Sequence, residues 1–144
     1  MNIRSASVKD LEQLKDLLKL FGKVDESGLE DRITVRIKNP TDCLVVAEDN
    51  DKLAGYAWAQ SYGQHMRGGE ITARLNDLFV LPEFRNQGIG TQLFNAITNW
   101  AKTTNVKYLQ WQAGTIAVPF YEKLGLKGDT KSDLETHPFY EIEY

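Results

Sequence analysis

Arg85-Asn86-Gln87-Gly88-Ile89-Gly90 stands between the apolar run Leu78-Phe79-Val80-Leu81 and the stretch Thr91-Gln92-Leu93-Phe94, and reads as strand, tight turn and helix. Gly88 and Gly90 let the backbone turn sharply, so that successive N–H groups converge at the positive end of the following helix, where an anion is favoured. The stretch lacks both the Lys-Ser/Thr pair of the P-loop and the third glycine of the dinucleotide fingerprint. It predicts a phosphate or pyrophosphate cradle for some other carrier.

Working outward, Ile71 to Leu81 is expected as a long strand before the turn, Thr91 to Lys102 as a helix with Leu93, Phe94, Ile97 and Ala101 on one side, and Lys107 to Gln112 as a strand. Such a strand-helix-strand crossover makes the two strands parallel. Further out, Asp49-Asn50-Asp51-Lys52 separates two β-rich runs, Cys43 to Glu48 and Leu53 to Ser61, at hairpin spacing. Tyr62 to Gly69, with its glycines, reads as a surface loop near function. At the N-terminal side, Ile3 to Ser5 predicts a strand, and Ser7 with Asp10 predicts a helix start. Leu11, Leu14, Leu17, Leu18 and Phe21 give that helix one apolar face, and Gly22 ends it. Gly28 to Lys38 predicts a second helix stopped by Asn39-Pro40. After the crossover come a short helix over Ile116 to Leu124, stopped by Gly125, and a terminal strand over His137 to Tyr144.

A chain of 144 residues with 42% hydrophobic content is expected to form one domain, residues 1–144. Its net charge of −3 argues against affinity for nucleic acid or anionic membranes. The single cysteine, Cys43, excludes an intramolecular disulfide framework and reads as buried strand. Together with an N-terminus lacking the apolar core of a signal peptide and no run of membrane-spanning length, this predicts a soluble, cytoplasmic protein. His65 and His137 lack metal-ligand companions, so no metal is assigned. Trp58, Trp111 and Phe139 are read as core or cleft walls.

The order of elements and two motifs resemble the GNAT superfamily of acyl-CoA-dependent N-acyltransferases over nearly the whole chain. Val80 to Gly90 fits the signature Arg/Gln-x-x-Gly-x-Gly/Ala with its upstream proline and aromatic residue. Phe120-Tyr121-Glu122-Lys123-Leu124-Gly125-Leu126 fits the second signature. Leu75 to Val80 with Phe120-Tyr121 is similar to the diamine and polyamine acetyltransferase branch. The resemblance implies an α/β (α+β) fold: a mixed, mostly antiparallel sheet flanked by helices, with a parallel strand junction where acetyl-CoA binds. It also implies a frequent homodimer, to which the terminal strand around Tyr140 would contribute. Where many members carry an asparagine ahead of the tyrosine, this chain has Gly114; Ala117 does match, and Thr115 is the substitute contact for the cofactor arm.

The implied reaction is direct attack of a small primary amine on acetyl-CoA. Arg85, Asn86, Gln87, Gly88, Ile89, Gly90 and Thr91 would hold the pyrophosphate, with main-chain N–H groups from Gln87 to Thr91 as donors. Leu78, Phe79 and Val80 would pair with pantetheine as with an added strand, and the Val80 N–H would polarise the thioester carbonyl, a contribution of ~3 kcal/mol. An alkyl amine of pKa about 10.4 is neutral only about one part in two thousand at pH 7, a penalty of ~4.6 kcal/mol. Asp77, directly or through water, is the first candidate base and Glu70 the second. Asp77 reads equally as a substrate anchor or an exposed strand residue. Tyr121 is the candidate acid for the leaving thiolate, or else a packing residue of its helix. Arg85 is a phosphate ligand or a surface ion pair. Asp25, Glu26, Glu30 and Asp31 form a solvated face or draw in a cationic acceptor. The alternative to an enzyme is an acyl-CoA sensor using the same cleft, without catalysis.

Overall fold

In the computed structural model, which describes residues 1–130 and 135–144, the first part of the chain forms β1 (Asn2–Ser5), α1 (Leu11–Phe21) and α2 (Leu29–Lys38). The start of α1 follows the expected capping logic through its acidic member. A 3-10 turn over Val8–Asp10 leads into the helix, and the Ser7 N–H donates to the Asp10 carboxylate at 2.8 Å. Arg4 on β1 reaches the same carboxylate through both terminal nitrogens at 2.8 Å and gives its Nε to Glu48, also at 2.8 Å. The α1 stop falls at Gly22, whose N–H still reaches the Leu18 carbonyl.

β2 (Asp42–Asp49) and β3 (Lys52–Gln64) are the expected hairpin. Its two loop residues, Asn50 and Asp51, both have positive φ (49° and 66°), the type I′ geometry that matches the twist of the paired strands. β3 continues past Ser61 into the stretch expected as loop. The β3–β4 connection tightens around residues 65–70, where the His65 N–H bonds to the Glu70 carbonyl at 2.8 Å. β4 (Ile71–Val80), α3 (Ile89–Thr103) and β5 (Val106–Gln110) complete the crossover, and β5 pairs parallel to β4 as the connection requires. The sheet order is β1-β2-β3-β4-β5, antiparallel except for that last pair.

Each face of the sheet has its own cover. On one, Val46, Tyr56 and Phe79 pack with Leu14 and Leu17 of α1 and Leu29 and Ile33 of α2. The alternate residues Ala47, Ala57, Ala59 and Ala73, all fully buried, leave a shallow opposite face for α3, which buries Leu93, Phe94, Ile97 and Ala101. Gly55 is required by the sheet itself, because a Cβ there would stand 2.4 Å from the Phe79 carbonyl oxygen. Among the described residues no helix is long and apolar enough to cross a membrane.

The chain divides into two compact units, Met1–Trp111 and Gln112–Tyr144. In the second, α4 (Val118–Lys123) ends in a Schellman arrangement: Gly125 has φ +80°, the Leu126 N–H meets the Tyr121 carbonyl at 3.1 Å and the Gly125 N–H the Glu122 carbonyl at 2.9 Å. The terminal strand expected over His137 to Tyr144 does not form. Residues 138–144 have no regular structure, and Phe139, Tyr140, Ile142 and Tyr144 are exposed, so Phe139 is not a core residue. The physical reason is that an alternating run becomes a strand only against an edge, and the described residues of this unit contain no strand to supply one.

Candidate active site

The site begins with a register slip. Trp58 of β3 pairs with Asp77, but the next residue, Ala59, pairs with Leu75, so Asn76 bulges out of the ladder. Without the bulge, Asp77 and Phe79 would lie on the same face as Ala73 and Leu75. With it they turn to the α1/α2 side, beside Trp58 and Tyr56. Asn76 itself donates through Nδ2 to Gln60 Oε1 at 2.9 Å.

Asp77 thereby opens into a cleft of about 730 Å³. Leu14, Leu18, Val24, Leu29, Ile33 and Leu44 supply aliphatic walls, and Tyr56 and Trp58 supply aromatic ones. The Tyr56 hydroxyl donates to Asp77 Oδ2 at 2.9 Å. Burial raises the Asp77 carboxyl above its ordinary pKa, and that hydrogen bond works in the opposite direction. Tyr56, pushed far upward by burial and by the Asp77 charge, stays protonated and so remains a donor. The Trp58 ring is fixed by its Nε1–H, which donates to Asp42 Oδ1 at 2.7 Å, while Arg36 pairs with Asp42 at 3.0 Å and lies over the ring at 5.9 Å.

β4 offers a second resource on its other edge. β5 pairs with it only from Ile71 to Arg74, so residues 75–80 have no strand partner on that side among the described residues. The Leu81 N–H bonds to Ala54 of β3, which fixes the alternation: Phe79 also turns its main-chain groups to β3, while Leu78 and Val80 turn theirs to the open edge. Arg85 confirms the phase, because its Nε donates to the Val80 carbonyl at 2.9 Å and its guanidinium lies 5.7 Å over the Phe79 ring. Of the three expected edge residues, Leu78 and Val80 turn their main-chain groups outward and Phe79 turns its own to β3.

Beyond Arg85 the chain turns through Asn86 (φ 61°) and Gly88 (φ 80°) into α3. Gln87 Nε2 holds the Glu83 carbonyl at 3.3 Å, and the first helical bond runs from the Gln92 N–H to the Gly88 carbonyl. No side chain caps this end and no acidic residue lies in the first turn, so the main-chain donors of Ile89, Gly90 and Thr91 are left for an outside anion.

The remaining expected residues separate. Glu70 sits at the end of the β3–β4 connection, 3.8 Å from His65 Nδ1, and does not line the cleft. Of the acidic group, Glu26 and Glu30 pair with Lys19 and Lys15 of α1, whereas Asp25 and Asp31 lie at the cleft mouth. Trp111 packs edge-on against Phe94. Within the second unit, Thr115 is exposed in the turn closed by the Ala117 N–H on the Gly114 carbonyl, and Ala117 caps α4. Tyr121 is half-buried, packs edge-on with Phe120 and is raised in pKa by burial.

The sequence profile described as the acetyltransferase (GNAT) family matches residues 11–126. The chain belongs to this family. It is similar to the uncharacterized N-acetyltransferase YhfO of Bacillus subtilis (strain 168), with 28% identity over 138 residues covering 90% of this chain and 92% of that one. Among solved structures it is similar in fold to the aminoglycoside antibiotic 6'-N-acetyltransferase AAC(6')-IG of Acinetobacter haemolyticus. There the TM-score is 0.80 and the identity 19%, over 100% of this chain and 99% of that one. It is also similar to the aminoglycoside N-acetyltransferase AAC(6')-Iy, solved in complex with CoA, with a TM-score of 0.75 and 20% identity over 99% of this chain and 100% of that one. The protein is a GNAT acetyltransferase.

Within this GNAT chain, sequence reasoning missed Tyr56 as the partner of Asp77, the Trp58–Asp42–Arg36 arrangement and the Asn76 bulge. The bulge leaves only an ambiguous trace: Ala73 and Leu75 set one phase of the two-residue period, but Leu78, Phe79, Val80 and Leu81 are all apolar and fit either phase. Tyr56 leaves none, since nothing local distinguishes it from any other aromatic residue in a strand.

Proposed function

We propose that the protein transfers the acetyl group of acetyl-CoA to a small primary amine by direct attack within a ternary complex. The observation that carries this reading is the two-sided end of β4: past the Asn76 slip a carboxylate faces an apolar-walled cleft, and past the end of β5 pairing main-chain groups face an edge with no strand partner among the described residues. On the edge side, pantetheine would join Leu78 and Val80 as an added strand, and the Val80 N–H would polarise the thioester carbonyl. The pyrophosphate would lie on the N–H groups from Gln87 to Thr91, with Arg85 and Asn86 beside it and Thr115 and Ala117 serving the cofactor arm. The related aminoglycoside enzyme solved with CoA supports this choice of donor.

On the cleft side, the Asp77 carboxylate takes the proton that the amine must lose, directly or through water. Its raised pKa brings it closer to the amine than an ordinary aspartate would be, which reduces the uphill part of the transfer. The nitrogen lone pair forms the new C–N bond, the C–S bond breaks, Tyr121 gives its phenolic proton to the departing sulfur, and the second proton shed by the acylated nitrogen restores the Tyr121 phenol through solvent. That role rests on the position of Tyr121 in the Phe120 to Leu126 motif. Cys43 supports direct transfer: it is buried, with its thiol pushed up to about 11, so it offers no thiolate for an acyl-enzyme. The same buried, unpaired cysteine supports a reducing, cytoplasmic location. The exposed Phe139, Tyr140 and Ile142 support a homodimer, for which light scattering should give twice the 16.4 kDa chain mass.

The test is release of free thiol from acetyl-CoA over a panel of amines, with thermal shift reporting CoA binding. Tyr121→Phe should lower turnover about a hundredfold and leave the CoA thermal shift intact. CoA binding with no amine accelerating thiol release would favour the sensor alternative; absence of any thermal shift with CoA would refute the donor assignment.

A further inference from the structure

We infer that the acceptor is a monoamine on an apolar, arylalkyl body, rather than a polyamine or an aminoglycoside. This rests on the acetyltransferase reading above and narrows it. Charge and polarity in the cleft select the acceptor. Among the described residues that line the cleft, Asp77 is the one carboxylate shielded from solvent, Asp25 and Asp31 being exposed, and Leu18, Leu44, Tyr56 and Trp58 are among the walls. A second ammonium on the same molecule, a few ångströms further out, would be placed against hydrocarbon with no anion to meet it, and desolvating it there is costly. Near the mouth, cations and anions offset one another: Lys23, Arg32 and Arg36 face Asp25 and Asp31. Several of these are already engaged. Arg36 pairs with Asp42, Arg32 donates to the carbonyls of Asp25 and Ser27, and the Asp25 carboxylate accepts the Ser27 N–H. Among the described residues the mouth therefore presents balanced charge rather than an anionic field to collect a polycation, and the inner walls are mostly hydrocarbon, with Gln60 a polar exception whose Oε1 already accepts from Asn76.

A cavity of about 730 Å³ lies within the range used by small-molecule sites. The Trp58 indole, clamped by Asp42 and covered by Arg36, is a fixed flat surface for an aromatic ring. Such a ring on Trp58 and an amine beside Asp77, its direct partner across the β3–β4 ladder, fit a two-carbon arylalkylamine.

The probes are phenethylamine and tryptamine against spermidine, kanamycin and a short peptide with a free N-terminus, each assayed for thiol release with acetyl-CoA. We expect kcat/KM for the arylalkylamines to exceed that for every other probe by about thirtyfold or more. Trp58→Ala should lower it about tenfold for phenethylamine, chiefly through KM. Val35→Asp adds a carboxylate at an exposed position of α2 on the cleft wall and should raise the spermidine-to-phenethylamine ratio about tenfold while the fold is kept. Faster turnover of spermidine, kanamycin or the peptide by the unmodified protein overturns the inference and leaves the acetyltransferase reading standing. Thiol release with none of the amines, despite a CoA thermal shift, defeats both.

Discussion

The pair Tyr56–Asp77 links structure to pH dependence at a single hydrogen bond. Burial raises the Asp77 pKa and the Tyr56 hydroxyl lowers it again, so Tyr56→Phe removes only the lowering influence. The acid limb of the kcat/KM profile, where the base becomes protonated, should therefore move to higher pH in Tyr56→Phe, while the basic limb stays in place. Asp77 also affects stability. Because its folded pKa lies above the unfolded value, the folded state binds the extra proton, and stability falls as pH rises through the folded pKa. Asp77→Asn, which keeps an oxygen for Tyr56 without the buried charge, should raise Tm at pH 7 and remove amine-dependent thiol release, measured by calorimetry and the thiol assay. Asp77 was legible in the sequence as a candidate among three roles. Tyr56 was not, because its partner lies across a strand pair and only the fold brings the two together.

For the elements, the turn into α3 was legible almost completely, because its conformation is a local matter of glycine and helix termini. A side chain at Gly88 meets nothing within 4 Å, so Gly88→Ala is penalised by its φ of +80°, about 1 kcal/mol, rather than by a clash. The added methyl would also crowd the anion cradle, and calorimetric titration should show CoA binding weakened by about tenfold. β4 was legible as a strand but not as a bulged one, since the direction of each amide depends on the register against β3. The run from His137 to Tyr144 fails in the opposite way: its alternation is a genuine local preference, yet a strand needs a neighbour, and the described residues of its own unit supply none.

Across the whole molecule, stability in acid depends on how the N-terminal strand is tied down. Arg4 holds the Asp10 and Glu48 carboxyls below their ordinary pKa values, so the stability they contribute is present at neutral pH and is lost as pH falls through and below the ordinary aspartate value of 3.8. Asp10→Asn should cost about 3 kcal/mol at pH 7, because Arg4 then loses its buried partner, and should flatten the decline of Tm between neutral and acid pH. The sequence by itself determined the family, the order of elements as far as α4, the parallel junction and the glycine turn into α3, all of which rest on motifs, periodicities and backbone preferences spanning a few residues. Only the tertiary structure decided that Asp77 faces the cleft, that Leu78 and Val80 rather than Phe79 turn their main-chain groups to the open edge, and that Asp77 shares an apolar-walled cleft with the exposed Asp25 and Asp31. The reason is that side-chain direction in a strand reverses with every residue, so one bulge at Asn76, set by pairing with a distant strand, reassigns every position after it.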